Sequence, residues 1–189
     1  LAYGQNSLYV EGENQSEIVP LLDISWGDFF ISQGNLGYTI INNDEFSVSA
    51  GVNQGFMADV DRGESPVLED MKKLDETVNG FLEVKIKQYW GNISFAYLTD
   101  ISNEHNGKQL TIGYDKDYIS GNWFFTPSFN ATLSDNRLVN YFYGVSKQEV
   151  HSTRPLYTAD ASWSISTTLM LGYAIDRNNT VFSFISGTW

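Results

Sequence analysis

Two histidines with hydroxyl and carboxyl neighbours are the residues best suited to catalysis in this chain of 189 residues. His105 stands in "DISNEHNG" (100–107) with Asp100, Ser102 and Glu104, and His151 stands in "QEVHSTRP" (148–155) beside Ser152. An imidazole near a serine and a carboxylate is the equipment of a protease or lipase, with the imidazole as general base. Asp135 is a further carboxylate available by composition. No pair among these has diagnostic spacing, and loops are rich in these residue types. Two lone histidines make no zinc ligand set. The chain has no cysteine, which removes thiol nucleophiles, thiolate metal sites and disulfides. The expectation is a protein with no catalytic residues, no metal and no cofactor.

A second set of chemistry-bearing residues is electrostatic. Glu83, Lys85 and Lys87 alternate with Leu82, Val84 and Ile86, so the three charges share one face of one extended segment. Asp115 and Asp160 occupy the polar positions of two other alternating segments. On the inside of a barrel such charges either line a conducting pore or close into a network that fills the lumen, and the filled lumen is the favoured expectation. The acidic stretches "ADVDRGE" (58–64) and "LEDMKKLDE" (68–76) could grip cations or a protein partner, but such segments are more often simply solvated. With a net charge of −12 the chain has no basic patch for phosphates, so nucleic acid is excluded as a partner.

The elements that must position these residues are strands. In 122–133, Trp123, Phe125, Pro127, Phe129, Ala131 and Leu133 oppose Asn122, Phe124, Thr126, Ser128, Asn130 and Thr132. In 45–56, Phe46, Val48, Ala50, Val52 and Phe56 oppose Ser47, Ser49, Gly51 and Asn53. The same period of two runs through 78–90, 92–102, 108–117 and 157–175, which is the mark of strands with one oily and one wet face. Helical periodicity is nearly absent. "SPVLEDMKKLDETV" (65–78) is short and charged and reads as loop with at most a helical turn. Pro127 inside a strand removes a ladder donor and marks a bulge.

Alternation alone fits a soluble sandwich as well as a membrane barrel. Connection lengths and aromatic placement favour the barrel. Tight turns sit at 42–44, 90–92, 118–121 and 176–179, whereas long polar segments sit at 57–77 and 134–156. Short turns at one end and long loops at the other is the outer-membrane pattern. Trp26, Phe29, Phe30, Tyr89, Trp90, Tyr118, Trp123, Phe124, Tyr157 and Tyr173 crowd the strand ends, where interfacial girdles need them. No run of 18 apolar residues offers a membrane helix. The predicted fold is all-β: a transmembrane antiparallel up-and-down β-barrel over residues 1–189 as one domain.

Loop parity then sets the count. With 57–77 and 134–156 outside, 17–41 must hold three strands: 17–25, 29–33 and 36–41. "WGD" (26–28) becomes an inner turn, "SQGN" (32–35) an outer hairpin, and 4–16 an outer loop. An eleventh strand rises through Phe182 and Phe184, and too little sequence remains for a return strand. The expectation is about twelve strands, with ten as runner-up, and residues missing near Ser186. Leu1 reads as the tail of a strand.

Three blocks carry a family resemblance. "LDISWGDFFISQGNLGYTIINND" (22–44) resembles the early block of the MipA/OmpV family, also called MltA-interacting proteins. Asp100, Ser102, His105 and Gly107 are similar to the family's acidic-Ser-Gly-His-Gly block, with Asn103 and Glu104 replacing the usual Gly-Gly-like pair. "NYFYGVSKQEVHSTRPLYTADA" (140–161) is similar to its most distinctive stretch through Tyr141, Phe142, Gly144, Val145, Ser146, Pro155 and Tyr157, with Tyr143 inserted before Gly144. The resemblance implies a barrel in the outer membrane of a Gram-negative cell, in contact with lipid. It also implies a scaffold that meets a periplasmic murein transglycosylase and a murein synthase. The alternative is a small-solute channel or receptor; a barrel enzyme or an adhesin ranks lower.

Overall fold

The computed structural model describes residues 2–6, 15–19, 23–32, 34–54, 68, 70–177 and 179–189. Its strands are β1 (Ala2–Asn6), β2 (Gln15–Val19), β3 (Asp23–Trp26), β4 (Phe29–Ser32), β5 (Asn35–Asn42), β6 (Phe46–Gln54), β7 (Val78–Gln88), β8 (Gly91–Asp100), β9 (Lys108–Asp115), β10 (Tyr118–Ser120), β11 (Trp123–Ser134), β12 (Ser162–Ala174) and β13 (Thr180–Thr188). One helix, α1 (Asn136–Tyr143), follows β11. The acidic stretch 58–64 lies outside the described residues. Of the doubtful stretch 65–78, residues 70–77 form no helix.

The strands run as an antiparallel meander. The main sheet has eleven strands from β3 to β13, and β1 pairs with β2 in a separate ribbon. The expected strand 17–25 is thus split between β2 and β3, and the expected outer loop 4–16 begins inside β1. β9 and β10 lie end to end along β11 in one register: Asp115 faces Ser128, and Tyr118 faces Phe125. Between them Lys116 and Asp117 stand opposite Pro127 and Thr126. Proline has no N–H to give the ladder, so the pairing lapses there without an extra residue. The sequence suggested a bulge at Pro127; the structure has a gap in the ladder instead. The bulge falls in β5, where the register shifts between Thr39 and Ile41. It turns Ile41 to the face shared by Leu36 and Tyr38. β3 and β13 are the two edges, and among the described residues no pairing joins them.

Direct pairing keeps the two faces pure across strands. Val84, Phe95, Ile112, Ala131 and Ile165 lie opposite one another in turn from β7 to β12. That face is exposed: Trp26 is 85% accessible, Trp163 73% and Ile112 47%. Among the described residues the buried hydrophobics are Leu74 and Ala159, both in connections rather than strands. A soluble sandwich hides its oily face in a core, whereas this sheet presents it outward as a lipid-facing barrel wall does.

Apart from the β4–β5 hairpin, where Ser32 pairs with Asn35, the short turns lie at one end. Gly27 and Gly121 take positive φ of 61° and 59° as the first residue of the two-residue hairpins 27–28 and 121–122, the position a II′ turn reserves for glycine. Aromatic pairs gather at this end on the outer face. Trp123 meets Tyr173 edge-on at 4.9 Å, and Trp90 stacks on Tyr114 at 6.1 Å. Such rings suit a headgroup boundary, apolar on one side and wet on the other.

Candidate functional site

The opposite end carries the longer connections, and these form the site. Asp100, the last residue of β8, is buried and accepts four hydrogen bonds: from Ser102 N at 2.8 Å, Ser102 Oγ at 2.6 Å, His105 N at 2.8 Å and Asn106 N at 2.7 Å. One carboxylate thereby folds the 101–107 connection around itself. Asn103 and Asn106 take positive φ in this tight loop, a region asparagine tolerates better than most residues. His105 is pulled inside, with its side chain 2% exposed.

The imidazole has a defined state. Nδ1 accepts from Gly107 N at 2.9 Å, so the proton of the neutral ring belongs on Nε2. Nε2 is buried and has no hydrogen-bond partner among the described residues. Burial pushes the His105 pKa below the ordinary histidine value, against the pull of Asp100, Asp135 and Glu104. The Asp100 carboxylate lies 3.9 Å from Nδ1, beyond hydrogen-bond reach. His105 therefore lacks the carboxylate-oriented geometry of a general base. His151 and Ser152 approach at 3.3 Å, but both are exposed in one turn, and among the described residues no carboxylate is bonded to His151.

Helix α1 closes over this knot. Asp135 caps it, its Oδ1 accepting from Leu138 N at 2.9 Å. Gly107 lies directly beneath the first turn: a Cβ there would sit 2.7 Å from Leu138 N and 2.8 Å from Leu138 Cβ. Tyr141 packs its ring 5.2 Å from His105 and donates its hydroxyl to the Asp75 carbonyl at 2.7 Å. Burial, then the nearby Asp75 and Glu104, push the Tyr141 phenol pKa up. Phe142 packs edge-on against Tyr141 at 5.2 Å. Gly144 donates to Asn140 O and ends the helix, Val145 bridges Tyr157, and Ser146 binds Glu149 Oε2 through N and Oγ. Pro155 is exposed in the connecting turn. Three connections, 70–77, 101–107 and 135–161, are thus one hydrogen-bonded body.

A family model described as MltA-interacting protein MipA matches residues 1–189, the whole chain. The chain belongs to the MipA family. No curated protein and no solved structure matches it. Two of the three MipA-like blocks, 100–107 and 140–161, are the parts that pack together as His105 and Tyr141. Sequence reasoning missed the partners that hold them. Asn140 bonds both the carbonyl and the N–H of Ala159, at 2.6 and 2.8 Å. Arg154, buried, donates Nε to Glu149 O at 2.8 Å. Asp135 three residues before Leu138 was a legible cap signal.

The electrostatic residues of this MipA-family chain divide. Lys85 Nζ pairs with Asp115 Oδ1 at 2.9 Å, and Asn92 donates to Asp115 Oδ2 at 2.7 Å. Lys87 instead ties β7 to the β5–β6 turn through Asn42 Oδ1 and Asn43 O. Glu83 is partly buried on the same face, opposite Ser49 and Ala96. Asp160 is exposed in the connection before β12, not on the strand expected to begin at 157. Between α1 and this polar face lies a cavity of about 380 Å³, reached by β6 through Asn53, β9 through Gln109, β12 through Ser164 and β13 through Thr188. Strands this far apart line one space because the sheet curves around it.

Proposed function

We propose that this protein is a Gram-negative outer-membrane barrel acting as an interaction protein, a scaffold for a periplasmic murein transglycosylase and a murein synthase. The membrane placement is supported by the outward apolar wall and the aromatic boundary at the turn end. The partner is supported by the family's description as MltA-interacting. The observation that carries the scaffold over a wide pore is α1, which reaches the inner face through Leu138 and Phe142 and occupies the mouth. No catalytic role is assigned to either histidine.

The test is co-sedimentation of the barrel, refolded in detergent micelles, with the purified transglycosylase. A stoichiometric complex is expected. A heat-modifiable, folded barrel that sediments alone would remove the scaffold reading.

A small-solute channel or receptor is the second reading, favoured by the 380 Å³ cavity. Steady conductance in planar bilayers, with ion selectivity shifted by Lys85→Glu, is the channel's signature; a silent barrel leaves the receptor form alone.

A further inference from the structure

The inner wall below α1 carries a row of neutral hydrogen-bonding groups. Asn35, Asn53 and Asn79 lie directly opposite one another on β5, β6 and β7, and Gln109 faces Ser134 across β9 and β11. Much of their capacity is unspent. Asn53 Nδ2 donates to Asn35 Oδ1 at 2.8 Å, which leaves Asn53 Oδ1. Gln109 Nε2 donates to Ser134 Oγ at 3.2 Å, which leaves Gln109 Oε1. The Asn79 amide has no hydrogen-bond partner among the described residues. The opposite wall, from α1, is mostly apolar: Leu138, Val139 and Phe142, with Tyr143 beside them. No carboxylate lines the space among the described residues.

From this two-sided lining we infer that the cavity below α1 is a binding site for a small neutral saccharide. Carboxamides offer donor and acceptor together, which matches a ring of hydroxyls. The apolar helix face matches the C–H face of a pyranose, and an apolar wall with a few placed polar groups is the usual make-up of a ligand site. At about 380 Å³ the space falls in the range of small-ligand pockets, roughly 300–1,000 Å³. No carboxylate faces the space among the described residues, so a cationic solute meets no counter-ion there, and the one lysine of the lining, Lys108, is exposed to solvent at the start of β9. This inference rests on the receptor form of the second reading and is independent of the scaffold.

The test is saturation-transfer NMR on the full chain in detergent micelles, with maltose and N-acetylglucosamine as probes and citrate and spermidine as charged comparators. Transfer to a neutral sugar is expected, falling about tenfold in apparent affinity in Asn79→Leu and Gln109→Leu, as when a polar group loses its partner. Lys87→Gln, outside the cavity, should bind as the parent does, and circular dichroism and heat-modifiability confirm that each variant is folded. Transfer to sugars undiminished in both cavity variants would place binding elsewhere and overturn the inference. Transfer to citrate or spermidine alone, lost in the cavity variants, would overturn the saccharide and keep the receptor. No transfer to any probe would overturn both.

Discussion

Lys85 on β7 and Asp115 on β9 form a 2.9 Å ion pair that passes over β8, where Asn92 adds a hydrogen bond to the same carboxylate. Three adjacent strands are clamped from the inner side. Both charged side chains are partly exposed, 34% and 23%, so the pair is neither a surface ornament nor a buried charge.

Reversing one charge should therefore loosen the clamp. Lys85→Glu sets like charges together, and a loss of about 1–2 kcal/mol is expected, between the exposed and buried limits for such pairs. The measurement is the urea midpoint in micelles. The double exchange Lys85→Glu with Asp115→Lys should recover most of the loss; no recovery would mean the two residues act separately.

Gly107 supports α1 by having no side chain. Gly107→Ala brings a methyl within 2.8 Å of Leu138 Cβ and of His105 Nδ1, an overpacking that costs about 1–3 kcal/mol. The expected result is local: faster proteolysis within 135–161 with the strand core protected. Equal cleavage in parent and variant would show that the helix tolerates the methyl.

Acid should open the same place. The folded pKa of His105 is depressed by burial, so in the window below the ordinary histidine value, about 6.5, the unfolded state binds more protons and stability falls as pH falls. It is full above that value and is lost on the way down through the folded pKa. Protonation also alters a ring whose Nδ1 now accepts from Gly107. The protection of the Gly107 amide, its exchange rate corrected for the intrinsic slowing of exchange in acid, should fall from pH 7.5 to pH 5, and His105→Gln should abolish that fall.

The outer wall makes a sharper prediction. Ile112→Lys places a charge in the lipid-facing row, and about 2–4 kcal/mol is the expected loss near the bilayer midplane. Thr111→Lys, one residue away on the inner face, should cost far less. Folding into lipid vesicles across a urea series measures both; equal costs would remove the assignment of faces.

The faces were legible in the sequence because a period of two in Phe129, Ala131 and Leu133 survives any neighbour. The turn at Gly27 stands where 26–28 was expected, whereas the turn expected over 118–121 is displaced: Tyr118–Ser120 is strand β10 and the hairpin is 121–122. Three things were hidden. The β5 bulge at Ile40 leaves no compositional trace, since Thr39, Ile40 and Ile41 all favour strands. The gap opposite Pro127 needs the partner strand to be known. Helix α1 has eight residues, too few for a clear helical period, and its support comes from Gly107 and Asp75, 31 and 66 residues from Leu138 and Tyr141 respectively. The sequence set Asp100, Ser102 and His105 side by side but did not show the knot they form, because three of its four bonds run to backbone N–H groups that a sequence does not display.

The meander has a consequence for assembly. From β3 to β13 each strand pairs with its neighbours in the chain, except that β9 and β10 lie end to end along β11, so most of the wall forms from neighbouring hairpins, which lowers the entropy of closure. The exceptions are the steps across 55–77 and 135–161. A hairpin-by-hairpin insertion would pause at these two joins. The helix that roofs the inner space belongs to the second join and rests on Gly107 and Asp75, which precede it in the chain, so its footing is already laid when β12 arrives.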